Sequence, residues 1–469
     1  MILRLIGVLA GLIISLGSLA QSFEGKEFWF SYLPNYQGAS GGDLRQQMHI
    51  ISKNDTKAYI SIPLGGVPFL DSIDVVANQV TTYDFPDLNR TYSNISETVV
   101  GKAVNVFSAD SILIYLGAYK QFSTDVAIAL PTDACGDEYH VVSMMDDRSG
   151  VGSGMNLTQF VVVGQEDNTN VSIEVMGFTR NGAETGDILS FSLNKGESYT
   201  VLSEDHPNVP FGDLNDLTGS RVYTTNGKDV AVYVGNNCAN VGGCGNCDML
   251  FEQVRPANTL GKEFFLARTK KSVILEDYVR VFAVDDGTIY NINGNPQPVL
   301  NKNEFRDFNL NNGMHILSNN PIQVTQFLKG HKCYSGNPKP ETDPLMIDIL
   351  PKELNSPSYT FGTSSFNRFN AHYCTVIAEA SDIPNLRMNG APVTLLDVGV
   401  IPGTTREYGF LDLSVGTSYT MGSITGQSFS LYVYGYGERE TYGYAAGGQL
   451  INLDLCPEVD FSFMDGGTT

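Results

Sequence analysis

The chain of 469 residues carries 51 acidic against 29 basic side chains, a formal net charge of −22. A surface of that sign repels DNA, RNA and anionic lipid, which argues against nucleic-acid and membrane-surface partners. With 48 glycines, 23 tyrosines, 25 phenylalanines and only 17% charged residues, the composition suits strands and turns rather than helices.

In chain order, Met1 to Ala20 reads as a secretory signal. Arg4 begins it, Leu5 to Leu16 form a short apolar stretch, and Ser18-Leu19-Ala20 offers small residues for cleavage before Gln21. No later stretch is long and apolar enough to span a bilayer, so membrane insertion after cleavage is not expected. A four-part unit then recurs four times. Its first part is a turn leading into an aromatic strand: Gly25 to Phe30, Gly136 to Val141, Gly261 to Leu266 and Ser356 to Phe361. Its second is a hairpin, over 48–62, 159–173, 278–292 and 373–388, with Asp, Asn or Gly at most of the turns. Its third is a polar turn, clearest in the near copies Leu193-Asn194-Lys195 and Leu300-Asn301-Lys302. Its fourth is an apolar closing strand, at Ser111–Gly117, Asp229–Gly235, Pro321–Phe327 and Phe429–Gly435.

Copies spaced by about 90–120 residues are longer than solenoid or single-blade periods and match a small sandwich. The expected fold is all-β: four tandem β-sandwich-like repeats packed together, with a β-propeller-like ring as the alternative. The expected boundaries are 21–130, 131–255, 256–350 and 351–455. Residues 456–469 read either as a frayed tail or as the start of a truncated PKD-like domain. Asp248 to Val254 is compatible with one turn of helix.

Gly38-Ala39-Ser40-Gly41-Gly42 has the spacing of a nucleophile elbow, but a β-like segment follows it where that elbow needs a helix. His49, His140, His206, His315, His331 and His372 show no metal spacing, and the three in strand patterns (His49, His140, His372) read as framework. Asp146-Asp147, Asp213 with Asn215 and Asp216, and Asp285-Asp286 are acidic turns. Calcium is a weak possibility there; no cofactor or metal is otherwise expected. Trp29 reads as core. Five tyrosines fall between Tyr432 and Tyr444, and Tyr434, Tyr436 and Tyr442 are candidate binding residues, because tyrosine rings make stiff amphipathic contact surfaces. Asn236 and Asn237, at the break after a closing strand, are the other candidates.

Gly235-Asn236-Asn237-Cys238-Ala239-Asn240-Val241, the following Cys247-Asp248 and Glu252 to Phe264 together resemble the N-terminal domain of the IgGFc-binding protein family, which also occurs in secreted bacterial proteins. Leu130-Pro131-Thr132-Asp133, Asp216 to Ser220 and Glu440 to Gly447 agree with it, and the likeness runs over about residues 24 to 450. It implies a non-catalytic extracellular domain. Fc affinity is not carried over, because no residue here matches an Fc contact. Cys244 departs from the pattern and creates a local Cys-x-x-Cys.

Seven cysteines in an exported chain fit a few disulfides better than zinc, which needs four ligands where this segment offers three thiols. The expected pairs are Cys238–Cys247 and Cys333–Cys374, with Cys456 a candidate for pairing beyond the end of the chain. The sequence therefore predicts a secreted or cell-surface adhesion protein that recognises an extracellular protein or glycan through inter-strand loops. A structural spacer is the alternative, and a glycan-active or proteolytic enzyme a more distant one.

Overall fold

The computed structural model describes residues 21–36, 44–145, 156–205, 216–271, 276–336 and 342–455. The leader, Gly38–Gly42, Asp146-Asp147, His206, Asp213, Asn215 and the tail from Cys456 lie outside them. Among the described residues all regular structure is strand, apart from short 3-10 turns.

Four sheet systems follow one another, and each repeats one antiparallel topology. The second shows it most plainly. A smaller sheet has the order Glu138–His140, Arg221–Thr224, Thr169–Glu174, Ile188–Leu193. A larger sheet has the order Asp248–Gln253, Val230–Ala239, Thr158–Gly164, Ser198–Leu202, with Val99–Val100 added from the preceding unit. The chain thus enters on the smaller sheet, crosses from it to the larger, and leaves on a strand at the edge of the larger. The entry strands of the other units are Gly25–Phe30, Gly261–Ala267 and Ser358–Gly362; their exit strands are Ser123–Ala129, Met346–Asp348 and Glu440–Ala445. In the first and third units one long strand, Val104–Lys120 or Gly313–Phe327, serves both sheets. In the second and fourth that strand is interrupted, giving Arg221–Thr224 then Val230–Ala239, and Ser418–Ser423 then Ser430–Gly437. The architecture is the expected all-β, sandwich-like one.

The four exit strands pack beside one another, the fourth against the first as well as the third, so the units close into a ring around them. Asp248–Gln253, where a helical turn was compatible with the sequence, is one of these strands. Its alternation serves two cores: Met249 and Phe251 join the cluster shared by the first, third and fourth units, and Leu250 joins that of the second. Asp125 sits at the ring centre, fully buried. Its carboxylate accepts from Val126 N at 2.8 Å, from Phe251 N at 3.0 Å, and from the backbone N–H groups of Met346 and Gly443. One side chain thereby ties the other three exit strands. Burial pushes its pKa well above the usual carboxylate range, against the pull of those amides.

Each of the first three exit strands runs into a proline, Pro131, Pro256 or Pro351, which precedes a 3-10 turn. These prolines press on Gly25, Gly136 and Gly261 of the unit before; a Cβ there would meet the ring at 2.2, 2.6 and 2.4 Å. After the fourth exit strand the chain reads Ala446-Gly447-Gly448 instead, and Gln449-Leu450 pairs with Gln21-Ser22.

Candidate functional site

The candidate residues chosen from sequence are largely framework. Asn236 is fully buried; its amide donates to Met144 O at 2.9 Å and Asn156 Oδ1 at 3.0 Å, and its carbonyl accepts from Cys238 N at 2.8 Å. Asn237 is half-buried and accepts from Leu157 N at 2.9 Å. Tyr434, Tyr436 and Tyr442 are all buried. Tyr434 Oη meets Thr375 Oγ1 at 2.9 Å and accepts from Lys270 N at 2.8 Å, and Tyr442 Oη lies 2.9 Å from His372 Nδ1. The reason is the ring: strands Ser430–Gly437 and Glu440–Ala445 are covered on both faces. Tyr434 joins the fourth unit to the third through Lys270, whereas the bonds of Asn236 and Tyr442 stay within their own units. Trp29 is buried, and His49 and His372 are bonded framework groups whose pKa burial lowers to about 4.

Cys238 is bonded to Cys247, closing the loop between strands Val230–Ala239 and Asp248–Gln253. Cys333 is bonded to Cys244 and not to Cys374. Cys374 lies in the middle of strand Phe369–Glu379, a buried thiol, whereas Cys333 ends the 3-10 turn His331–Cys333 against Gly242. The extra cysteine of the Cys-x-x-Cys is thus the one that crosses between units. Cys135 is a second buried thiol, pushed up to about 12 by burial. Asp285 and Asp286 form an exposed turn in which Asp286 accepts from Lys302 N. Among the described residues no three His, Cys, Asp or Glu side chains converge as a metal-holding group.

The joints between units are where large side chains collect. At the first, Glu27 and Trp29 project from one face of the entry strand opposite Phe107 and Asn105. Lys195 of the next unit reaches Glu27 at 3.1 Å and lies 5.3 Å over the Trp29 ring. Burial pushes Glu27 up, but bonds from Lys195, Trp29 and Asn105 overcome it and hold the carboxyl below its usual range. At the second joint the pair is Glu138 and His140, opposite Tyr223 and Arg221. Arg221 clamps Glu138 at 2.7 and 2.8 Å, and the His140 ring lies 5.9 Å from Phe282 of the third unit. At the third the pair is Glu263 and Phe265, opposite Leu317 and His315. Lys352 reaches Glu263 at 2.6 Å, His315 reaches it at 3.1 Å, and Arg406 lies 4.3 Å over Phe265. Those two bases outweigh the burial of Glu263 and take it to about 2.

At the joint of the fourth unit with the first, the same positions hold Ser358 and Thr360, opposite Gly422 and Thr420. A cleft of about 720 Å³ opens there. Its far wall is Phe23, Glu24, Lys53 and Leu113 of the first unit; Arg387 projects from strand Leu386–Met388, Gly390 and Ile424 stand at turns, and Gly447 to Gln449 close one end. Glu24 is the one carboxylate among its lining residues and is held by Lys53 at 2.9 Å. The site can offer cationic, hydroxyl and apolar contacts; it lacks the paired acids or the nucleophile with its base that hydrolysis would need. None of its residues was singled out from sequence. The signal lay in the repeat itself, as the copy whose entry strand lacks the Glu-x-aromatic pair.

A closed ring of β-sandwich-like units with a polar inter-unit cleft defines an all-β protein. The IgGFc binding protein family matches residues 125–435, and the chain belongs to that family. No curated protein matches it. The family is a binding-type and extracellular one, two disulfides agree with that setting, and no helix of the described residues is long and apolar enough to cross a membrane.

Proposed function

We propose that this chain is a secreted or cell-surface, non-catalytic adhesion protein that recognises an extracellular protein or glycan. The observation that supports this most is the cleft between the fourth unit and the first, whose rim is made by the inter-strand turns at Lys53, Gly390 and Ile424. A rigid sheet frame carrying ligand contacts on its turns is the usual division of labour in binding proteins. Export would follow cleavage after Ala20, and the N-terminus of the mature protein, read by mass spectrometry, is then Gln21.

The test is a panel of immobilised glycans and extracellular proteins, antibody Fc included, probed with the purified disulfide-bonded chain. Reproducible binding to a restricted set supports adhesion. Silence across the whole panel favours the spacer reading instead.

A further inference from the structure

Four aligned positions separate the fourth joint from the other three, and all change in one direction. Glu27 with Trp29, Glu138 with His140 and Glu263 with Phe265 become Ser358 with Thr360. Opposite them, Phe107, Tyr223 and Leu317 become Gly422, and Asn105, Arg221 and His315 become Thr420. Gly422 is not required by the backbone. Its φ is outside the left-handed range, and an added Cβ would meet nothing nearer than Ser358 Cβ at 3.4 Å, an ordinary contact. A side chain would fit, so the glycine leaves room. The volume left, about 720 Å³, is that of a ligand cleft and not of a packing fault.

Basic side chains of a different origin line the fourth joint: Lys53 comes from a turn of the first unit, and Arg387, opposite Gly422, from the fourth unit's own sheet. At the first and third joints an acid meets a lysine of the following unit, and a cation lies over the neighbouring ring. At the fourth, Arg387 places Nη1 on the carbonyls of Pro384 and Leu386 at 2.9 and 2.8 Å. A guanidinium has five donors, so the rest of its fork is left for a carboxylate. Lys53 is 58% exposed, and its surface pairing with Glu24 is of the weak, exchangeable kind.

We infer that the cleft binds an extended segment of a partner protein that presents a carboxylate next to an aromatic side chain. It receives from outside what the other three joints receive from their own chain. The aromatic group packs between Phe23, Leu113 and the Gly422 face, the carboxylate lies on Arg387, and the hydroxyls of Ser358, Thr360 and Thr420 meet the segment's backbone. This deepens the adhesion reading and rests on it.

The test uses the full disulfide-bonded chain against an array of short peptides containing Glu or Asp two residues from Trp, Phe or Tyr. Scrambled peptides of equal charge and a glycan array serve as comparison. The wild type is expected to select the acid-plus-aromatic set. Ser358→Glu, Thr360→Trp and Gly422→Phe together restore what the sibling joints carry and should reduce that binding by more than about tenfold at an unchanged melting midpoint. Arg387→Glu, at a half-exposed position, should weaken it by about tenfold and remove its salt dependence, and it gives the answer if the filled variant does not fold. Peptide binding undiminished in both variants places the site elsewhere and overturns the inference, while leaving the adhesion reading standing. Glycans bound by the wild type and blocked by the filled variant overturn the peptide occupant. Silence of the wild type on both arrays overturns inference and reading together.

Discussion

The first and third units differ from the second and fourth in one device, and the contrast shows how a repeat absorbs an insertion. In the first unit Gly25 faces Ile112 while Glu27 faces Phe107, so two positions on the entry strand are spanned by five on the crossing strand. The third is the same, with Gly261 facing Ile322 and Glu263 facing Leu317. In the second unit Gly136 faces Val230 and Glu138 faces Tyr223; in the fourth Ser356 faces Phe429 and Ser358 faces Gly422. Here seven positions span the two. Each longer excursion turns on a glycine with left-handed φ, 66° at Gly227 and 78° at Gly426. The residue at the next entry position changes with it. Phe28 and Phe264 fill the uninterrupted units; Tyr139 and Tyr359 stand in the interrupted ones. Tyr139 Oη accepts from Gly136 N at 2.7 Å and donates to Val230 O at 2.6 Å; Tyr359 Oη accepts from Ser356 N at 2.9 Å and donates to Phe429 O. The hydroxyl does the bridging that the broken ladder cannot, so two backbone groups taken out of water keep partners.

The alternation makes the second-to-third joint and the fourth-to-first joint formal equivalents, and the largest expected effect breaks that equivalence. Among the described residues Cys244–Cys333 is the bond that ties two units covalently, across 89 residues. Its loss in a Cys244→Ser, Cys333→Ser chain should cost about 4 kcal/mol in urea unfolding, since long loops gain the most from closure. Next, Tyr139→Phe and Tyr359→Phe should each cost about 1–3 kcal/mol, because each leaves a buried donor and acceptor unpaired. Phe28→Tyr should also destabilise, as a buried hydroxyl without a partner. A cost for Tyr359→Phe no larger than that of an exposed substitution would remove the hydroxyl from the argument. A sharper test deletes Asn226 and Gly227 from a Tyr139→Phe chain, turning the second unit into the first type. About half the loss should return if the two changes are coupled.

The smallest effect concerns pH. Asp229 closes the second unit's excursion, where the fourth has Ser428. Burial, with help from Asp137 and Glu166, raises Asp229 from 3.8 to about 6. A carboxyl raised on folding binds its proton more tightly in the native state, so its contribution is full below pH 3.8 and is lost as pH rises through 6. Asp229→Asn should therefore stabilise by about 1 kcal/mol above pH 6, discounted for half-burial, and leave stability unchanged near pH 4. Equal gains at both pH values would assign the effect to something other than this titration.

Much of the fold was legible because the repeat punctuates itself. The entry turns and closing strands are local patterns that fall on strands. The expected hairpins over 48–62, 159–173, 278–292 and 373–388 are not hairpins: both runs of each are strands, but they pair with other strands and not with each other, because the chain passes there from one sheet to the next. The exit strands were harder. Asp248-Met249-Leu250-Phe251 shows no clean alternation, since both of its faces are covered, and apolar character alone does not separate a doubly buried strand from a helical turn. The same double covering misled the reading of Tyr434, Tyr436 and Tyr442: sequence shows which side chains share a face, not what another unit lays over it. Cys333 with Cys374 is the expected bridge across the joint of the third and fourth units, but the ring brings the loop of Cys333 to that of Cys244 instead. The cleft was present in the sequence only as a difference between copies.

Asp125 has a consequence for the order in which the molecule is made. Its acceptors are completed by N–H groups from residues 251, 346 and 443, so a chain emerging from the ribosome carries that side chain for more than three hundred residues before its last donor exists. Partial products holding one, two or three units keep an unfilled acceptor at the heart of their incipient packing. Stability is thus withheld until synthesis has reached the fourth unit, and truncated forms should be proteolytically fragile while the whole resists.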